Sequence, residues 1–180
     1  MSWVTEKQHI NVVVTTKALA AAGNYAADDV LSENASTGTV WTWAEVVNVN
    51  GGAGEIIGAI ASSKTNAVRY RPKVFLYNAT PAATTELNDN ATNNAPVNSD
   101  VSAGTFVGTI SFPSLSENGG NTISAATPNS STSGLPLVFK AATNADDLIG
   151  VVITQDAETN ETATDDLTIT FIVRDLNGVQ

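Results

Sequence analysis

The sequence predicts an all-β protein, a β-sandwich or jelly roll of about eight short antiparallel strands joined by long polar loops. Three observations predict it. Apolar and polar residues alternate at period two along one segment after another, the spacing of strands that cover a core on one face. Ser, Thr, Asn, Gly and Ala fill much of the chain while charged residues make up only 14%, a mixture that suits polar turns, whereas Leu, Lys and Glu are too scarce for a helical bundle. No segment sustains a helical period, and no internal repeat is visible. At 180 residues the chain fits one domain with its own core. Within it, residues 1–24 read as an N-terminal strand and arm placed to pack on a neighbour, and 25–180 as the sandwich itself.

The first strand is expected over Gln8 to Thr16, with Ile10, Val12 and Val14 inward and Val13 breaking the polar side. Lys17 to Gly23 reads as a loop or a single turn, too short to stand as a helix. Tyr25 to Leu31 is a short strand candidate, followed by a polar turn from Ser32 to Gly38. Val40 to Val49 reads as a longer strand with Trp41, Trp43, Val47 and Val49 on one face. The Gly-rich turn Asn50 to Gly54 then leads into Glu55 to Ala61, so the two segments are expected to form a hairpin. That Gly-rich loop lacks the Gly-Lys-Ser/Thr ending of a phosphate-binding loop and opens no helix.

Asn66 to Tyr77 has the clearest two-faced pattern. Val68, Tyr70, Pro72, Val74 and Leu76 share one face and Arg69, Arg71 and Lys73 the other, while the proline predicts an edge position or a bulge. Thr80 to Ser102 reads as a long functional or mobile loop. Gly104 to Phe112 is a strand with Phe106, Ile110 and Phe112 inward, and Ser114 to Gly134 a second long loop of low complexity. Leu135 to Phe139, Asp147 to Thr154 and Asp166 to Arg174 close the chain as strands. Leu148 to Ile153, nearly continuous in apolar residues, is expected at the centre of a sheet and covered on both faces.

Composition also narrows function. The chain has no cysteine, which removes disulfides, thiolate zinc sites and thiol nucleophiles together. A formal net charge of -10 argues against nucleic acid, whose phosphates need clustered Lys and Arg. No run of apolar residues is long enough for a membrane span, and the N-terminus lacks the basic start and apolar core of a signal peptide, so a soluble, non-exported protein with no membrane partner is expected. On that expectation, the matches to the glycosylation pattern at Asn34, Asn78, Asn90, Asn129 and Asn160 read as coincidence. The only histidine is His9, so a Ser/His/Asp arrangement or a His-rich metal site has no basis, and no catalytic residue is assigned. Asp156 to Glu161 sets oxygen-bearing side chains at alternate positions, as calcium loops do. It lacks the central Gly and distal Glu, which leaves a solvated acidic turn as the other reading. No cofactor is expected.

Two groups of residues stand out as partner-binding candidates. Lys64, Arg69, Arg71 and Lys73 are half of the 8 Lys and Arg residues. They form either the charged outer face of an edge strand or a positive stripe that docks on an acidic partner. Trp41 and Trp43, on one face of their strand, are core residues or interface anchors.

The order of several short segments resembles a family of small structural proteins of tailed bacteriophages, the capsid cement or decoration proteins. The segments are Tyr25 to Val30, the Gly-rich turn leading to Val74 to Tyr77 and Pro81, Asp89 to Ala91, Phe106 to Phe112, Leu148 to Ile153 and Asp165 to Ile169. The resemblance spans Tyr25 to Arg174 and transfers no individual functional residue. It implies a non-enzymatic homo-oligomer, a trimer before a dimer, that sits on the outer capsid surface and bridges the major capsid protein, and that is made in the host cytoplasm. The rival reading is a carbohydrate-binding β-sandwich of a tail fibre or adhesin, which would need exposed aromatics in a groove beside carboxylates.

Overall fold

The computed structural model describes residues 9–20, 24–128, 131–159 and 165–177. Its strands are β1 (Ile10–Ala18), β2 (Trp41–Trp43), β3 (Ala53–Ser63), β4 (Pro72–Tyr77), β5 (Phe106–Ser111), β6 (Ser116–Glu117), β7 (Thr122–Ala126), β8 (Leu137–Lys140), β9 (Leu148–Thr154) and β10 (Asp166–Asp175). A single turn-and-a-half of helix, α1 (Asn98–Ala103), precedes β5 and closes on Gly104 in the left-handed conformation. Two antiparallel sheets result, ordered β1-β10-β3-β7-β6, with β8 also on β3, and β2-β9-β4-β5. The pairing is nested: β1 with β10, β2 with β9, β3 with β7 and β8, β4 with β5. A chain that pairs its first strand with its last and works inward is one long hairpin rolled into two sheets. That is the strand order of a jelly roll, in keeping with the fold class expected.

The sheets meet over a core in which Trp41 and Trp43 stack at 6.2 Å and Trp43 lies 4.5 Å from Phe171 across the sandwich. Each indole N–H finds a carbonyl, Trp41 donating to Leu31 and Trp43 to Ile169, both at 3.0 Å, so both rings are buried with their polar atoms satisfied. A second, smaller cluster sits on the outer face of the second sheet. There Phe75, Tyr77, Val151 and Ile153 pack under Val30, Leu87 and Ala95. Residues 80–103 therefore cover that face, which explains why β9 is buried on both sides, as its continuous apolar run predicts.

Several expectations need correction. The phase of β1 is inverted: Ile10, Val12 and Val14 are 49%, 64% and 58% exposed, and Val13 faces the core at 9%. The reason is that the inward polar residues have partners. Asn11 Nδ2 donates to the Val46 carbonyl at 3.1 Å, Thr15 Oγ1 to the Thr42 carbonyl, and Lys17 Nζ to Glu33 and Thr39. The expected hairpin of residues 40–61 does not form, because β2 pairs with β9 in one sheet while β3 pairs in the other. The Gly-rich turn carries the chain between sheets, and only residues 41–43 of the first segment are strand, leaving Val49 42% exposed. β4 is no edge, lying between β9 and β5; its proline is the first strand residue, where no ladder bond is lost, and the bulge falls at Leu76/Tyr77. Tyr25 to Leu31 makes isolated bridges rather than a strand. The two long loops contain α1 and the β6/β7 hairpin, whose polar, small-residue sequences carry little periodic signal.

Candidate interaction surfaces

The basic stretch ends up engaged within the chain. The backbone before β4 is held by acidic side chains from the turn after β9: the Arg69 amide donates to Glu158 Oε2 at 2.8 Å and the Arg71 amide to Asp156 Oδ2 at 3.0 Å. The Arg71 guanidinium then grips the same Asp156 carboxylate with both Nε and Nη2, at 2.9 and 2.8 Å. This two-point contact holds the Asp156 carboxyl below its ordinary pKa and raises that of Arg71. Arg69 Nη1 donates to the carbonyls of Asn66 and Val68 at 2.7 and 2.8 Å, and its Nη2 is 3.5 Å from Glu117. Lys73 lies over the Phe75 ring at 4.8 Å, and Lys64 is 3.4 Å from Asp166. Asp156 and Glu158, read above as part of a calcium-like run, thus organise the basic stretch. Asn160 and Glu161 of that run lie outside the described residues. Among the described residues no three His, Asp or Glu side chains converge where a metal could sit.

Trp41 and Trp43, candidates for partner contact in the sequence, are 1% and 0% exposed. They belong to the core and offer nothing to a surface. The other aromatic residues behave alike: every Tyr and Phe among the described residues is buried or half-buried.

Near the end of β1 a different ionic cluster closes the side of the sandwich. Lys17 Nζ reaches Glu33 at 2.5 Å and the Thr39 hydroxyl at 2.9 Å, and stands 5.6 Å from the centre of the Trp41 ring. Burial pushes the Lys17 pKa down. Burial also opposes the charge on Glu33, but hydrogen bonds from Lys17, Thr39 and Ser32 outweigh it and hold that carboxyl at about 2.

The surface that sequence reasoning missed is the outer side of β1. An open groove of about 530 Å³ runs along Ile10 to Val14, with Thr42, Ala44, Glu45 and Asn48 on its other wall. The neighbouring strand continues the apolar surface, since Val12 is paired with half-buried Ile172. The signal was present in the sequence as the extra apolar residue Val13, which makes either phase of the strand possible.

No family model matches the chain. No curated protein matches it either. Among solved structures, a chain from a marine algae virus of the order Picornavirales is similar over 97% of this chain and 70% of its own, at 10% identity and a TM-score of 0.23. A superposition that loose carries no argument about fold or function.

Proposed function

We propose that the protein is a non-enzymatic virion component, a cement protein that binds the outer surface of a bacteriophage head and stabilises contacts between capsomers of the major capsid protein. The observation that supports this reading is where the resembling segments fall. Val74 to Tyr77, Phe106 to Ser111 and Leu148 to Ile153 lie in β4, β5 and β9, three adjacent strands of the second sheet. Tyr25 to Val30 and Asp89 to Ala91 belong to the layer above it: Tyr25 Oη donates to Asp89 at 3.0 Å, and Val30 bridges Ile153. Apart from the Gly-rich turn and Asp165 to Ile169, which runs into β10 of the first sheet, the segments thus form one connected half of the sandwich. Its buried acidic groups serve the backbone. Asp89 accepts from the Ser32 amide at 2.8 Å and Asp100 from the Ala82 amide at 2.7 Å. The mechanism would be mass action: a protein that binds the assembled lattice better than free subunits adds its binding free energy to the shell. The glycan-binding reading needs an exposed aromatic platform, and the aromatic residues among the described ones, all buried or half-buried, do not supply one.

Mixing the purified protein with expanded empty capsids, then imaging them and following their thermal disruption, tests the proposal. Ordered density on the shell and a raised disruption temperature are expected. Bare capsids at saturating protein would overturn it.

A further inference from the structure

We propose that the open edge of β1 is a homodimer interface, in which two copies pair antiparallel through Ile10, Val12 and Val14 about a two-fold axis at Val12. The backbone geometry comes first. The Asp175 amide donates to the His9 carbonyl at 2.9 Å and the Leu19 amide to the Asp165 carbonyl at 3.0 Å. Hydrogen-bonded positions alternate along an antiparallel ladder, so the odd-numbered residues between these anchors face β10. Ile10, Val12, Val14 and Thr16 turn their N–H and C=O groups the other way, toward the groove. The residues with outward backbone groups are therefore the ones with exposed apolar side chains.

Other edges among the described residues are blunted as natural sheets usually blunt them. β6 is two residues long and ends on Glu117, β8 is four and ends on Lys140, and β2 is three. β5 is bordered by the chain at 133–134: the Ser111 amide donates to the Ser133 carbonyl, and a Cβ at Gly134 would lie 2.1 Å from the Thr109 carbonyl oxygen. β1 is nine residues long, and the neighbouring chain at 42–48 stands across a groove from it, held by the Asn11 and Thr15 side chains. The strand's one charged residue, Lys17, is turned in to Glu33.

A second copy is the occupant because the strand complements itself. With Val12 opposite Val12 of the partner subunit, Ile10 meets the partner's Val14 and Val14 meets the partner's Ile10, so every outward apolar side chain gains an apolar neighbour. A slip of one residue would set outward backbone groups against inward ones, and a slip of two would set Ile10 against Thr16. Charge points the same way. Copies of a chain with net charge -10 repel, and they approach at less cost along a strand that carries no charge between Ile10 and Thr16, where Glu45 on the groove's other wall is the one charged residue of the lining. An isologous contact closes after two copies. It therefore gives a dimer, in contrast to the trimer that the family resemblance implies, and it stands independently of the capsid reading.

The test uses the full chain and its lack of cysteine. Light scattering after size exclusion should give a dimer mass for the parent. Val12→Glu, which places two carboxylates face to face at the axis, should give a monomer with an unchanged circular dichroism spectrum. Val12→Cys should cross-link to a covalent dimer under mild oxidation, since a hydrogen-bonded antiparallel pair sets Cα atoms about 5.5 Å apart, within disulfide reach. Val14→Cys, remote from its own copy in this register, should not. A parent that stays monomeric to its solubility limit, a Val12→Glu protein that remains dimeric, or equal cross-linking at both positions would overturn the proposal. Decoration of capsids by the monomeric variant bears on the capsid reading alone.

Discussion

On the second sheet the outer face lies beneath the chain's own residues 80–103, whereas on the first sheet the outer side of β1 carries Ile10, Val12 and Val14 into solvent. Both faces are apolar, and the strands that form them carry apolar residues in both phases, Val12 to Val14 in β1 and Val151 to Ile153 in β9. The difference is what the chain supplies to cover them. Over β4 and β9 a long loop is pinned by buried carboxylates, with Asp89 tied to Tyr25 and Ser32 and Asp100 tied to Ala82 and Thr85. Over β1 nothing among the described residues plays that part. An apolar face whose cover is built into the chain stabilises the fold, and one without a cover is available for assembly.

The sharpest way to break this comparison is at adjacent residues. Val13→Asp should destabilise the protein by about 3 kcal/mol or more, because a carboxylate enters the core without a partner. Val12→Asp, one position along, should change the stability of the monomer by less than about 0.5 kcal/mol. Urea unfolding of both variants decides the phase of β1, and equal losses would mean that its outer face is covered after all.

The covered face has its own test. Asp89→Ala leaves the Ser32 amide and the Tyr25 hydroxyl without their buried acceptor, which should cost about 2 kcal/mol. Hydrogen exchange should then rise across residues 87–95 and in β9 before it rises in β10. Uniform acceleration over both sheets would show that the covering layer is not separable from the core.

A smaller effect comes from pH. Glu33, held at about 2 against its ordinary 4.5, has a lowered folded-state pKa. Its contribution is complete above pH 4.5 and is lost as pH falls toward 2, since the unfolded chain takes up the proton first. Glu33→Gln should flatten that part of the acid-stability profile, measured by thermal midpoint against pH. The smallest effect is expected where the sequence looked most suggestive. Arg69→Ser with Arg71→Ser exchanges exposed side chains already engaged with Glu117 and Asp156, and both the midpoint and the oligomeric mass should stay close to the parent's. A clear loss of association would restore the basic stretch as a contact surface.

The fold class, the buried face of Val68, Tyr70, Val74 and Leu76, and the central position of β9 were all determined by the sequence alone. In each case large apolar residues stand at strand spacing beside residues that must stay in water, so only one arrangement buries the first and hydrates the second. The tertiary structure alone decided the rest. In β1 both phases present apolar side chains, and the choice fell to Val46, Thr42 and Thr39, whose distant carbonyls accept from Asn11, Thr15 and Lys17. The same holds for the basic stretch: Arg71 reads as a free cation until Asp156, 85 positions away, closes on it. Periodicity records how a residue relates to its neighbours along the chain, while hydrogen bonds and ion pairs between distant segments depend on where the roll of the two sheets brings them together.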